Sequence, residues 1–186
     1  FDCLCERLRR AARQGDTVAF QELVAEGGDP EAPERIMKLQ GDHSLGQYDH
    51  LSPRCLFWAA QSGHVEICEA ILQAGAKIDR ICRTACVPLD KTVHYTALLA
   101  AAEAGHSDTV QLLLQHGADP QFADPFREWT VLHWAACNNQ VEVMQALIDF
   151  GANVNAVSAD GQSARDLAEA AGAKEAAQWL GSVSKD

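Results

Sequence analysis

The chain of 186 residues is short of aromatic side chains (6 %), of methionine (two) and of positive charge, with 15 Lys and Arg against 26 Asp and Glu. The resulting formal net charge of −11 excludes the electrostatic footprint of a protein that reads a phosphate backbone or an anionic membrane surface. No nucleic-acid partner is expected, and basic or neutral partners fit better. No apolar run approaches the roughly 20 residues that cross a bilayer. The longest, near residues 96 to 102, is mostly alanine, so no membrane insertion is expected. Seven cysteines are an odd, scattered number and read as reduced thiols rather than a disulfide framework. The beginning, Phe1-Asp2-Cys3-Leu4-Cys5, has no basic stretch followed by an apolar one and reads as no signal peptide. A cytoplasmic or nuclear location is expected, as a monomeric domain of a larger protein. No nucleophile with its base, phosphate loop or carboxylate pair stands in recognisable spacing, so neither an enzyme nor a cofactor is expected.

What the chain has is alanine, 31 residues of it, and internal repetition. Ala59-Ala60-Gln61-Ser62-Gly63-His64 recurs as Ala101-Ala102-Glu103-Ala104-Gly105-His106, with degenerate copies at Ala11-Ala12 and Ala135-Ala136. Each copy is followed by an apolar stripe ending in glycine, at Gly27, Gly75, Gly117 and Gly151. The stripes carry apolar residues at helical spacing: Ile67, Ile71 and Leu72, then Val110, Leu113 and Leu114, then Val143, Leu147 and Ile148. Gly63 and Gly105 supply the left-handed residue that ends a first helix, and Asn139 tolerates it next best. Thr130 can cap the helix that follows it, with His133 reaching back as in a capping box. A single such unit cannot bury its own apolar face, so stacking must stabilise the chain.

Thr130-Val131-Leu132-His133-Trp134-Ala135-Ala136 resembles the ankyrin signature T-P-L-H-x-A-A, and Thr96 to Ala102 is a second copy. The stretch Asp160 to Ala168 is similar to the closing repeat of such arrays. The resemblance implies an all-α solenoid of stacked helix-turn-helix units with hairpin-loop fingers, forming a single domain over 1–186. Its approximate repeats are 1–30, 49–80, 91–124, 125–158 and 159–186. Against a period of about 33 residues, the first two glycine intervals are long, which places insertions at 31–48 and 81–90.

The resemblance also implies a non-catalytic module that binds a protein or peptide in its concave groove and finger loops. By the family pattern, the groove positions hold Arg13, Gln14, Trp58, Gln61, Ser62, Tyr95, Ala100, Glu103, Ala104, Trp129, Trp134, Cys137 and Asn138, with Phe126 and Arg127 at a finger beside them. Trp58, Gln61, Tyr95, Glu103, Phe126, Arg127, Trp129, Trp134 and Asn138 are the candidate contact residues, because Trp and Tyr anchor interfaces more than other residues. The competing reading for Trp58 and Trp134, and for Trp129 as well, is packing between neighbouring helices, and Trp179 reads as core. Between Thr96 and Asp160, eight acids face one base, Arg127. Glu103, Asp124, Glu128 and Asp160 are expected at the rim, which suits a partner bearing Arg or Lys.

The alternative function is a metal- or redox-responsive module centred on Cys82 and Cys86, with His94 as a further ligand and His43 and His50 in the other insertion. The spacing is poor for structural zinc, which normally takes two tight pairs, and no metal is assigned. Finally, Leu147 lies eight residues before Asn155-Ala156. That arrangement resembles the ankyrin segment recognised by animal asparaginyl hydroxylase and marks Asn155 as a candidate modification site.

Overall fold

The computed structural model describes residues 4–32, 54–84 and 93–183, and these form a stack of helix pairs. The inner helices are α1 (Leu4–Gln14), α3 (Cys55–Gln61), α5 (Ala97–Ala104), α7 (Val131–Cys137) and α9 (Ala164–Ala171). Each is followed by an outer helix: α2 (Thr17–Ala25), α4 (Val65–Gln73), α6 (Ser107–Gln115), α8 (Val141–Asp149) and α10 (Lys174–Val183). Each inner helix packs on the next, and the outer helices form a parallel row behind them. The all-α solenoid is the observed architecture.

Small side chains let the inner row close up. Ala59, Ala60, Ala101, Ala102, Ala135 and Ala136 are all fully buried, because only a methyl group fits where two inner helices meet an outer one. The outer stripes bury Ile67, Ile71, Val110, Leu113, Val143 and Leu147 against them. Side-chain caps start α5 and α9. The Thr96 hydroxyl accepts from the Leu99 amide at 3.2 Å, and Ser163 and Asp166 form a reciprocal capping box. The two hydrogen bonds from Ser163 hold the Asp166 carboxyl below its ordinary range.

A second regularity links neighbouring repeats. Gly15 lies against the His64 ring and Gly63 against the His106 ring, while each histidine's Nε2 meets a carbonyl of the preceding repeat: Arg13 for His64 and Gln61 for His106, both at 3.1 Å. A Cβ on Gly63 would approach the His106 ring to 2.7 Å, whereas one on Gly117 would meet nothing within 4 Å. Both glycines have positive φ, 76° and 89°. Gly117→Ala should therefore lose about 1 kcal/mol from backbone strain alone. Gly63→Ala should lose at least about 2 kcal/mol, because the His106 contact must also yield. Denaturant midpoints of the two variants, measured side by side, check the difference.

The second insertion is not loop throughout. β1 (Cys82–Thr84) pairs antiparallel with β2 (Val93–Tyr95), Cys82 opposite Tyr95, and both of those residues are buried. The base of this finger thus belongs to the core. Replacing 85–92 with Asn-Gly, a two-residue turn suited to an antiparallel hairpin, should leave a single cooperative unfolding transition. Removing 83–90 would cut into β1 and should not.

Candidate partner-binding groove

The inner helices present one face away from the outer row, and on it the rings form a chain of contacts across three repeats. Phe57 meets Trp58 edge to face at 5.2 Å and Tyr95 at 6.1 Å. Tyr95 lies 6.2 Å from Trp134, which meets Trp129 at 5.1 Å. Trp58, Trp129 and Trp134, which the family pattern puts at groove positions, all belong to this row. Phe57, not singled out in the sequence, joins the row from a buried position, and Tyr95, expected at the groove surface, is buried as well.

Tyr95 is only 5 % exposed, because its β2 position directs the ring between Phe57 and Trp134 rather than out of the groove. It is an internal rung, and Trp58, Trp129 and Trp134, each half-buried, carry the accessible aromatic surface. Ala100 is likewise buried. The indole Nε1 of Trp134 is buried without a hydrogen-bond partner.

Charges decorate this row at three points. The Arg13 guanidinium lies over Trp58, 4.9 Å from the ring centre, and that of Arg127 lies over Trp129 at 5.2 Å. Between them, Glu103 on α5 is half-buried. Partial burial raises its pKa above the ordinary carboxylate value, and a hydrogen bond with Tyr95 opposes the rise.

The rim differs from the expected one at Asp124. This residue is buried, and its Oδ2 accepts from the backbone amides of Phe126 at 3.3 Å and Arg127 at 2.9 Å. Its carboxylate organises the 124–129 turn and offers little to a partner. Glu128, at φ 54°, and Asp160 are exposed. Phe126, 58 % exposed, stands at the tip of that turn. The Arg127 carbonyl accepts from the Ala159 amide at 2.9 Å and ties this finger to the next.

Gln61 and Asn138 have exposed side chains; Asn138 Nδ2 donates to the Trp134 carbonyl at 3.1 Å. Asn155 is exposed, its amide donating to Asn153 Oδ1 at 3.0 Å, while Leu147 is fully buried. Cys82 is a buried free thiol rather than an accessible loop thiol. Burial pushes its pKa up, although Arg54 and Arg80 pull the other way, so it is poorly suited to attack or to bind a metal as thiolate. Cys86, His43 and His50 lie outside the described residues. His94 is in β2 opposite Arg83, with its side chain outside them. Among the described residues no group of three or more His, Cys, Asp or Glu converges to hold a metal.

Comparison with known proteins matches residues 8–124 and 98–186 to a family described as ankyrin repeats (3 copies). Cyclin-dependent kinase 4 inhibitor B of Rattus norvegicus is 30 % identical, over 69 % of this chain and 91 % of the inhibitor. Ankyrin repeat and SAM domain-containing protein 6 of Danio rerio is 28 % identical over 69 % of this chain. Ankyrin repeat and SOCS box protein 6 of Homo sapiens is 42 % identical over 32 % of it. The chain spans only 19 % and 14 % of the lengths of these last two relatives.

Proposed function

This chain belongs to the ankyrin-repeat family, whose repeats mediate protein–protein interaction, and we propose that it is a non-catalytic module holding a partner segment with Arg or Lys in the groove of Trp58, Glu103, Trp129 and Trp134. The observation that carries this reading is Glu103. A half-buried carboxylate beside aromatic rings is raised in pKa by burial, with no cation of the described residues among the causes that shift it. A partner's cation would supply the missing countercharge in a partly desolvated setting, where a charge-assisted hydrogen bond is worth more than at an open surface. The exposed Glu128 and Asp160 add attraction at longer range. A cytoplasmic or nuclear setting fits the free, buried thiols of Cys55, Cys68 and Cys82.

Glu103→Gln tests this directly. Because the folded pKa of Glu103 is raised, its charged form costs stability at neutral pH, and that cost is relieved as pH falls through the folded pKa. The variant should therefore unfold no more easily than wild type at neutral pH, while capturing less partner in a pull-down read by mass spectrometry. Affinity for the captured partner should also fall with rising salt, mainly through slower association. Salt-independent binding, or full capture by Glu103→Gln, would remove the basic-segment reading.

A further inference from the structure

The charges over the rings have an order: a cation on Trp58, an anion within, and a cation on Trp129, this last one followed in the chain by the exposed acid Glu128. We propose, resting on the groove reading above, that the partner segment is extended and carries the complementary order, with a carboxylate facing Arg13, a Lys or Arg facing Glu103, and a second carboxylate facing Arg127.

The ends are not seats for a partner's cations, because the chain's own guanidiniums already occupy the Trp58 and Trp129 faces. A guanidinium lying over a ring keeps its N–H donors in the plane of the fork, pointing past the ring edge, which is the geometry a carboxylate meets with two parallel hydrogen bonds. Neither Arg13 nor Arg127 is paired with a carboxylate among the described residues, where the ion pairs are Arg7 with Glu26, Arg80 with Glu31 and Arg165 with Glu169. Both are exposed. Stacking also restrains long side chains that would otherwise lose rotamer freedom on binding.

The fold sets the spacing. Arg13 lies on the first inner helix and Glu103 on the third. The Arg13 guanidinium, however, reaches the Trp58 ring on the second inner helix; with packed helices about 8–10 Å apart, it lies roughly 9–14 Å from Glu103 along the groove, about three or four residues of extended chain. Arg127 lies in the turn just before the fourth inner helix, which adds roughly 9 Å, about three residues. The segment is thus acid, about three residues, base, about two residues, acid, in one of the two chain directions.

Fluorescence anisotropy with labelled synthetic 12-residue peptides tests the order. The probes are Asp-x3-Lys-x2-Asp flanked by a Gly/Ser/Ala background, its reversed sequence, and peptides of the same composition with the Lys exchanged for either Asp. One direction of the matched order should bind at least about tenfold tighter than the exchanged peptides, as expected for close charge pairs of right against wrong sign. Arg127→Glu should transfer the preference to the peptide with Lys at that end, a switch that loss of structure cannot produce. Equal binding of matched and exchanged peptides, or no binding of any, would overturn the charge order. If equal binding is lost in Trp134→Ala, the groove reading survives and the order alone falls. If it persists in Trp134→Ala and Glu103→Gln, both fall.

Discussion

His133→Ala should destabilise the array by about 3 kcal/mol, the sum expected from a buried donor left unsatisfied and a cavity the size of the ring. The ring is fully buried; its Nδ1 accepts from the Thr130 amide at 3.0 Å and lies 2.8 Å from the Thr130 hydroxyl, while Nε2 is 3.3 Å from the Gln162 carbonyl. A donor at the Thr130 amide fixes Nδ1 as acceptor, so Nε2 carries the proton and donates to Gln162. One neutral imidazole therefore caps α7 and joins it to the next repeat. Burial lowers its pKa, with the Gln162 and Ala156 backbone opposing. The unfolded chain then takes up a proton first as pH falls. The stability from neutral His133 is full above the unfolded value of about 6.5 and is lost as pH drops from there through the folded pKa. His133→Gln, which can accept and donate at similar places without titrating, should flatten the decline in denaturant midpoint between pH 7.5 and 5.5. An unchanged slope would assign the decline to other groups.

Trp134→Ala should weaken partner binding by about 2 kcal/mol or more, the cost of removing a central aromatic anchor. It should also cost about 2 kcal/mol of stability, because the ring supports Tyr95 on one side and Trp129 on the other. Trp134→Phe separates the two effects. The indole N–H is buried without a partner, and replacing an unsatisfied donor by an apolar ring of similar shape costs little. This variant should fold as well as wild type and keep most of the binding. Paired calorimetric and binding titrations check both. Normal binding by Trp134→Ala would make the residue purely structural.

The features legible in the sequence are those that depend on neighbours a few residues away. The double alanines, the turn glycines and the Thr130–His133 cap each follow from one helix's own geometry, and repetition made them unmistakable. What escaped depends on which side chains meet across repeats. Phe57 is adjacent to Trp58 in sequence, but its contact with Tyr95 exists only once α3 and β2 are side by side. Asp124 looks like a rim acid until the 124–129 turn folds back, buries its carboxylate and engages one of its two oxygens. Arg13 and Trp58 are 45 positions apart, and nothing local says that one lies over the other. Cys82 reads as a loop thiol because its strand pairing is with Tyr95, thirteen residues further along the chain.

The contacts that join each repeat to the next also act as a rule of succession. Gly15 receives His64, Gly63 receives His106, and Gly105 receives Gln140, so each glycine is a socket for the ring or amide that follows. The fourth unit presents Asn139 instead, whose Oδ1 accepts from the Ala176 amide at 2.9 Å and whose Nδ2 donates to Glu175 at 3.4 Å. That surface takes a helix start through side-chain hydrogen bonds, and an amide side chain stands where the other joints have a glycine. A duplicated second or third unit would dock after itself, while a histidine-bearing unit placed after the fourth would meet a side chain where it needs an empty glycine. The units are therefore not interchangeable beads, and the chain's growth by duplication is permitted at its beginning and closed at its fourth joint.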